Sequence, residues 1–311
     1  MRLVIGLVWI MLALPAFAHK GTDKSKFYTS AGYAKTVKAF KQSLKKRYAV
    51  ERFNLGVMYD EGQAVPQDYA KAVRWYQKAA RQGYARAQNN LGVKYQEGQG
   101  VKQGYTQAMY WYEKSAKRGY SVAQSNLGLM YDLGLGVPQD FKQAIHWYEK
   151  SAMQGHAQAQ FLLGVLYANG DGVAQDYSQA VHWYKKSADQ GYAMAQFMLG
   201  AMNANGEGMP QDLQQARHLY EQAAMQGYAM AQNNLGMLYW QGKGMEVNYV
   251  EAHKWFNIAE AQGNEVGKNN REQVAARMTS AQIAEAQRLA IEWLEQHKSK
   301  IEIRLLTGVE Q

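Results

Sequence analysis

The sequence predicts an all-α fold, an α-solenoid assembled from stacked helix pairs. Three observations predict it. First, residues 48–263 repeat with a period of 36: Leu-Gly pairs fall at 55-56, 91-92, 127-128, 163-164, 199-200 and 235-236, and closing glycines at 83, 119, 155, 191, 227 and 263. Second, each period carries two helical stripes parted by a Gly-rich loop. Third, the chain has 29 glycines but only 4 prolines and is 47% hydrophobic, so it can bury a core and interrupts helices chiefly with glycine. A fixed period of this length is the mark of a repeat architecture.

The elements follow in chain order. Residues 1–18, "MRLVIGLVWIMLALPAFA", place Arg2 ahead of an apolar run from Leu3 to Leu14 and end on Ala16-Phe17-Ala18. This is the pattern of a cleavable secretory leader, cut after Ala18. The run is short for a membrane span. The expected location is therefore periplasmic or secreted. The absence of cysteine excludes disulfides, thiolate metal sites, a cysteine nucleophile and a lipid-modified cysteine at the cleavage point.

Residues 19–47 form a basic N-terminal arm with a degenerate capping helix. Nine basic residues and one acid lie between 20 and 47, whereas 25 basic and 25 acidic residues follow from 48 onward. The chain's formal charge of +9 thus belongs to the arm. Lys35, Lys38, Lys41, Lys45, Lys46 and Arg47 are candidates for touching an anionic envelope surface; the plain alternative is a solvated tail. Nucleic acid is not expected as a partner of an exported protein.

The six repeats come next. The loop "GLGVPQDF" (134–141) recurs as "GQAVPQDY", "GQGVKQGY", "GDGVAQDY", "GEGMPQDL" and "GKGMEVNY", each displaced by a multiple of 36. Two glycines so spaced can cradle a phosphate or turn a chain; a copy in every repeat argues for the turn. In repeat two, Ala87, Leu91 and Tyr95 mark one helical stripe and Tyr105, Ala108, Tyr112 and Ala116 a second. Glycine ends the first helix. The proline ahead of the second helix costs it no hydrogen bond, and the Asp of "QD" can cap its N–H groups. Small residues such as Ala87, Gly92 and Ala108 let the helices approach, and aromatics fill the remaining space. Residues 264–311 are expected to cap the array. Thr279 and Gln282 form a capping box, and Ile283, Ala286, Leu289, Ala290, Trp293 and Leu294 form one apolar stripe.

The pattern A-x-x-x-L-G-x-x-Y-x-x-G-x-G-V-x-x-D-Y-x-x-A-x-x-W-Y-x-K-S/A-A-x-x-G resembles the Sel-one-like repeat family, relatives of the tetratricopeptide repeats, over residues 48–263. The resemblance implies a right-handed superhelix of antiparallel pairs whose first helices line the concave face. It also implies a scaffold that holds other proteins, with secreted members tied to envelope and host-contact processes. On that face lie positions five and two before and two and five after each Leu of Leu-Gly. Its apolar candidates for binding a protein or peptide partner are Phe53, Val122, Leu129, Phe161, Val165, Met194, Phe197, Met230, Met237 and Trp240. Methionine-rich grooves accommodate varied peptides; alternatively, superhelix curvature buries these side chains against neighbouring repeats.

An enzymatic role is the disfavoured alternative. Some secreted family members carry a β-lactamase label, but here one S-x-x-K, Ser43 to Lys46, stands in the arm without S-D-N or K-T-G. No catalytic residue, cofactor, metal site or small-molecule substrate is expected. His146, His182 and His218 form a ladder without supporting carboxylates, and "ANGDGVAQD" lacks the acids of a calcium loop. Repeat five departs most from the pattern, with Asn203 for Tyr and Leu219 for Trp, and is expected to be a soft joint; the amide would cost about 1–3 kcal/mol if it found no partner.

Overall fold

The computed structural model describes residues 48–307, with side chains through His297. The candidate leader and the whole arm, including Lys35, Lys38, Lys41, Lys45, Lys46, Arg47 and the Ser43–Lys46 motif, lie outside the described residues. So do residues 308–311. The described chain holds fourteen helices and no strand. It divides into two compact units, one ending at Ala159 and the other beginning at Gln160.

The first unit contains α1 (Ala49–Glu61), α2 (Tyr69–Ala80), α3 (Ala85–Glu97), α4 (Tyr105–Ala116), α5 (Ser121–Leu133) and α6 (Phe141–Ala152). The boundary falls within α7 (Ala157–Asn169). The second unit continues with α8 (Tyr177–Ala188), α9 (Ala193–Asn205), α10 (Leu213–Met225), α11 (Ala229–Gln241), α12 (Tyr249–Ala261), α13 (Glu265–Ala275) and α14 (Ser280–Thr307).

Each repeat is a helical hairpin. In repeat one the Asp68 N–H donates to the Tyr59 carbonyl (2.8 Å), Gly56 faces the Tyr76 ring, and Phe53 packs on the same ring at 5.7 Å. Contacts that run backward along one helix as they run forward along the next make the pair antiparallel. The Gly of Leu-Gly permits this approach. A Cβ at Gly56, Gly92, Gly128, Gly164, Gly200 or Gly236 would stand 2.5–2.9 Å from the ring at 76, 112, 148, 184, 220 or 256. Tyr76, Tyr112, Tyr148, Tyr184 and Phe256 are the largest fully buried side chains among the described residues.

The loop glycines are turn residues. Gly98 ends α3 in the left-handed conformation (φ 72°), returning its N–H to the Lys94 carbonyl. Gly100, two residues on, also has positive φ, and a Cβ there would meet the Tyr69 carbonyl carbon at 2.3 Å, at the start of the preceding repeat's second helix. Repeat one has Ala64 in that place, the only non-glycine residue of positive φ among the described residues. Asp68, Asp140, Asp176 and Asp212 cap their helices as the sequence predicts, and Asn248 does the same in repeat six, each accepting the N–H three residues on. Gly104, at the same place before α4, offers no side-chain cap.

A glutamine ladder joins repeat to repeat. Gln124 is buried, and its amide nitrogen donates to the Ala116 carbonyl (3.2 Å); its oxygen then accepts from Gln154 (2.7 Å). The second unit repeats the joint with Gln190 on Gln160 (2.6 Å), Gln226 on Gln196 (2.7 Å) and Gln262 on Gln232 (2.7 Å). Buried amides so paired fix register as well as stability.

The C-terminal helices pack against the second helix of repeat six. Helix α13 takes the place of a seventh first helix: Asn270 donates to Asn233 (2.8 Å), as Asn126 does to Asn89 (3.0 Å) within the first unit. Helix α14 opens with the expected capping box, the Thr279 N–H donating to Gln282 (2.9 Å). Its Ala286, Ala290 and Trp293 are buried, Trp293 meeting Trp255 edge-on at 5.8 Å.

Candidate peptide-binding face

The first-helix face does not present all ten predicted apolar residues. Phe53, Leu129, Phe161, Met194 and Phe197 are buried, at 4%, 7%, 6%, 3% and 8% exposure. This corrects the expectation that they line an open groove. For the three phenylalanines the physical reason is an aromatic wedge. Phe161 packs between Tyr184 of its own hairpin (5.7 Å) and Tyr192, which opens the next repeat (5.4 Å). Phe197 does the same with Tyr220 (5.9 Å) and Tyr228 (5.2 Å), and Phe53 with Tyr76 and Tyr84. Repeats two and six have Asn89 and Asn233 in this column, and there the joint is an Asn–Asn hydrogen bond instead. The column joins repeats rather than meeting a ligand.

Val122, Val165, Met230, Met237 and Trp240 remain half-buried on the same face. In the second unit Met237 and Trp240 edge the small core of Phe256 and Val274, and Trp240 meets Phe256 edge-on at 6.1 Å. Ala201 and Ala204 on α9 are also half-buried there, so little bulk stands in that stretch of the face.

The last column of the face has an internal role that the sequence reading missed. Asp60 accepts from the Tyr76 hydroxyl (2.9 Å), Gln96 from Tyr112 (2.9 Å) and Asp132 from Tyr148 (3.0 Å). Asp60 also pairs with the buried Lys94 of the next repeat (2.5 Å). In repeat four Ala168 takes the acceptor's place, and the Tyr184 hydroxyl is buried without a hydrogen-bond partner among the described residues. In repeat six the column holds Trp240, and the ring beneath is Phe256, with no hydroxyl to satisfy. A signal existed: the pairs Asp–Tyr, Gln–Tyr, Ala–Tyr and Trp–Phe sit 16 residues apart in the sequence. Burial pushes the phenols of Tyr148 and Tyr184 upward, so both stay protonated donors. Tyr148→Phe is expected to cost about 1.5 kcal/mol, because a carboxylate loses its donor. Tyr184→Phe is expected to cost nothing or to stabilise by about 0.5 kcal/mol, since it removes an unmet hydroxyl. Urea midpoints of the two variants test this; equal losses would contradict it.

Repeat five is better satisfied than its sequence suggests. Asn203 is buried, yet its amide donates to the Leu199 carbonyl (2.8 Å). Leu219 is buried as well, against the space over Gly200. The amide at 203 is therefore paired, and the cost attached to an unpaired one does not arise. His146, His182 and His218 are exposed, and no group of three metal-ligating side chains comes together among the described residues.

Regular helical hairpins with glycine-spaced packing define this chain as a repeat protein of the paired-helix class. A model of the Sel1 repeat matches residues 52–84, 85–120, 121–156, 157–192, 193–228 and 229–264, and the chain belongs to the Sel1 repeat family. Among solved structures it is similar to a Sel1 repeat protein from Oxalobacter formigenes, at 30% identity and a TM-score of 0.65, over 74% of this chain and 96% of that one. It is also similar to a protective antigen of uropathogenic Escherichia coli strains displaying an SLR fold, at 31% identity and a TM-score of 0.55, over 89% of this chain. The match spans 66% of that antigen's length. No curated protein matches the chain. Sel1 repeat proteins generally act as protein-interaction scaffolds.

Proposed function

We propose that this chain is an exported, non-catalytic scaffold that holds a peptide segment of a protein partner on the first-helix face of residues 160–307. One observation carries the reading: Val165, Met230, Met237 and Trp240 stay half-exposed there while Phe161, Met194 and Phe197 of the same face are buried as repeat joints. The division separates surface from framework. Methionine and tryptophan suit a groove that adapts to varied apolar side chains. The leader pattern in residues 1–18 supports export, and the envelope is where such a partner would be met.

Peptides selected from a random displayed library against the intact chain test the reading. Met237→Ser with Trp240→Ser is expected to abolish their capture while the helical circular dichroism at 25 °C stays intact, although the thermal midpoint falls. Undiminished capture would remove the groove from consideration. The basic arm supports a second reading, association with an anionic surface. That reading requires salt-sensitive sedimentation with anionic vesicles, lost in a chain starting at Tyr48.

A further inference from the structure

The glutamine pairs run through repeats three to six, and at Gln88, in repeat two, the partner glutamine is missing beside a basic cleft. Gln88 stands where Gln124, Gln160, Gln196 and Gln232 stand in the later repeats. Its amide nitrogen donates to the Ala80 carbonyl (3.1 Å), as those of Gln124 and Gln232 do to Ala116 and Ala224, and its buried oxygen is left to accept. Elsewhere that oxygen accepts from a glutamine thirty residues on. Here that residue is Arg118, whose guanidinium lies over Gly83 instead. Gln88 is 3% exposed, and its oxygen has no hydrogen-bond partner among the described residues.

Gln88 lines a cleft of about 650 Å³ with Arg81, Trp111, Lys114, Lys117 and Arg118. Lys117 is neutralised by Glu113 (2.6 Å). No carboxylate comes within ion-pair distance of Arg81, Lys114 or Arg118 among the described residues, and Lys114 rests over the Tyr110 and Trp111 rings at 4.5 and 5.6 Å. The charge is regional: residues 48–120 carry eleven basic and six acidic side chains, and residues 121–311 fourteen and nineteen. The cleft thus offers three uncompensated cations, a half-buried aromatic wall and one buried acceptor that lacks a donor.

We propose that this cleft, formed by repeats one and two, binds a carboxylate-bearing peptide. The carboxylate meets Arg81, Lys114 and Arg118, a neighbouring backbone N–H donates to the Gln88 oxygen, and an adjacent side chain lies on Trp111. A bare phosphate satisfies the cations but brings no donor of the kind Gln88 lacks, whereas a peptide brings both groups at fixed spacing. This proposal shares no residue with the first-helix face of residues 160–307 and stands or falls independently of it.

Arg118→Gln is the decisive variant, because it installs the residue that closes the ladder at 154, 190 and 226 and is expected to fold at least as stably as the parent. Fluorescence anisotropy on the full chain uses two labelled decapeptides of Gly and Ser. One is C-terminally amidated with an internal Asp-Glu pair; the other is free of acidic side chains but has a free C-terminus. Tight binding of the first identifies side-chain carboxylates as the source, and of the second the chain terminus. In either case Arg118→Gln should weaken binding at least tenfold, Lys71→Gln at a distant surface position less than twofold, and 10 mM inorganic phosphate should not displace the peptide. The proposal is overturned if neither decapeptide binds, if the two variants weaken binding alike, or if phosphate competes fully.

Discussion

Gly128→Val is expected to destabilise the first unit by about 3 kcal/mol, the upper part of the usual range for overpacking a close-packed core. The first added carbon already stands 2.6 Å from Cδ1 of Tyr148 and 3.2 Å from the Ala144 carbonyl oxygen. Neither neighbour can yield cheaply. Tyr148 is fully buried, and its hydroxyl is held by Asp132 (3.0 Å), so the ring is pinned at its far end. The carbonyl belongs to the backbone of α6. Against this, exchanging glycine for valine in a helix interior gains only about 0.4 kcal/mol of propensity. Gly155→Ala provides the contrast. Its φ is 84°, but nothing lies within 4 Å of the new carbon, so only backbone strain of about 1 kcal/mol opposes it. Urea unfolding of both variants decides the matter. If Gly128→Val proves no worse than Gly155→Ala, the hairpins are not held at the distance the glycine sets.

Much of this framework was legible in the sequence because it is written six times. A residue that recurs every 36 positions is held by packing, and the Leu-Gly pairs, the loop glycines and the capping Asp residues all proved to be such positions. The face could be located by helical arithmetic for the same reason. Which of its residues meet solvent could not. Phe161 and Val165 share that face and are four residues apart, yet the first is wedged between Tyr184 and Tyr192 while the second stays half-exposed. That difference depends on where the next repeat's first aromatic lands, a contact across repeats that no single helix reveals. Gln88 shows the converse. Its break from the ladder lies in the thirty-residue offset to Arg118, visible in the sequence only once the structure shows which residue each glutamine meets.

His156 makes the first unit sensitive to acid, and the expected size is about 2 to 3 kcal/mol. It occupies the place held by Tyr84, Tyr120, Tyr192 and Tyr228, where an aromatic ring packs at the entry to a repeat's first helix. Part of the residue's surface reaches water, but burial of the ring pulls its imidazole from 6.5 down to about 4. Its Nδ1 accepts the Ala159 N–H (3.4 Å), a bond that a proton on that nitrogen would break. The sign follows from which state binds the proton first. Above pH 6.5 the ring is neutral in both folded and unfolded chains, and stability is complete. Between 6.5 and about 4 the unfolded chain takes up a proton that the folded one refuses, so stability falls with pH; below about 4 both carry it and the loss is constant. A full shift of that width corresponds to about 3 kcal/mol, reduced somewhat by the ring's partial access to water. His156→Tyr restores the aromatic of the other repeats and removes the proton. Carboxylates titrate over the same range in both proteins, so the measurement is the difference between parent and variant in urea midpoint at pH 7.5 and at pH 4.5. The variant's advantage should grow by about 2 to 3 kcal/mol on acidification. An advantage that is the same at both pH values would show that His156 takes its proton as readily folded as unfolded.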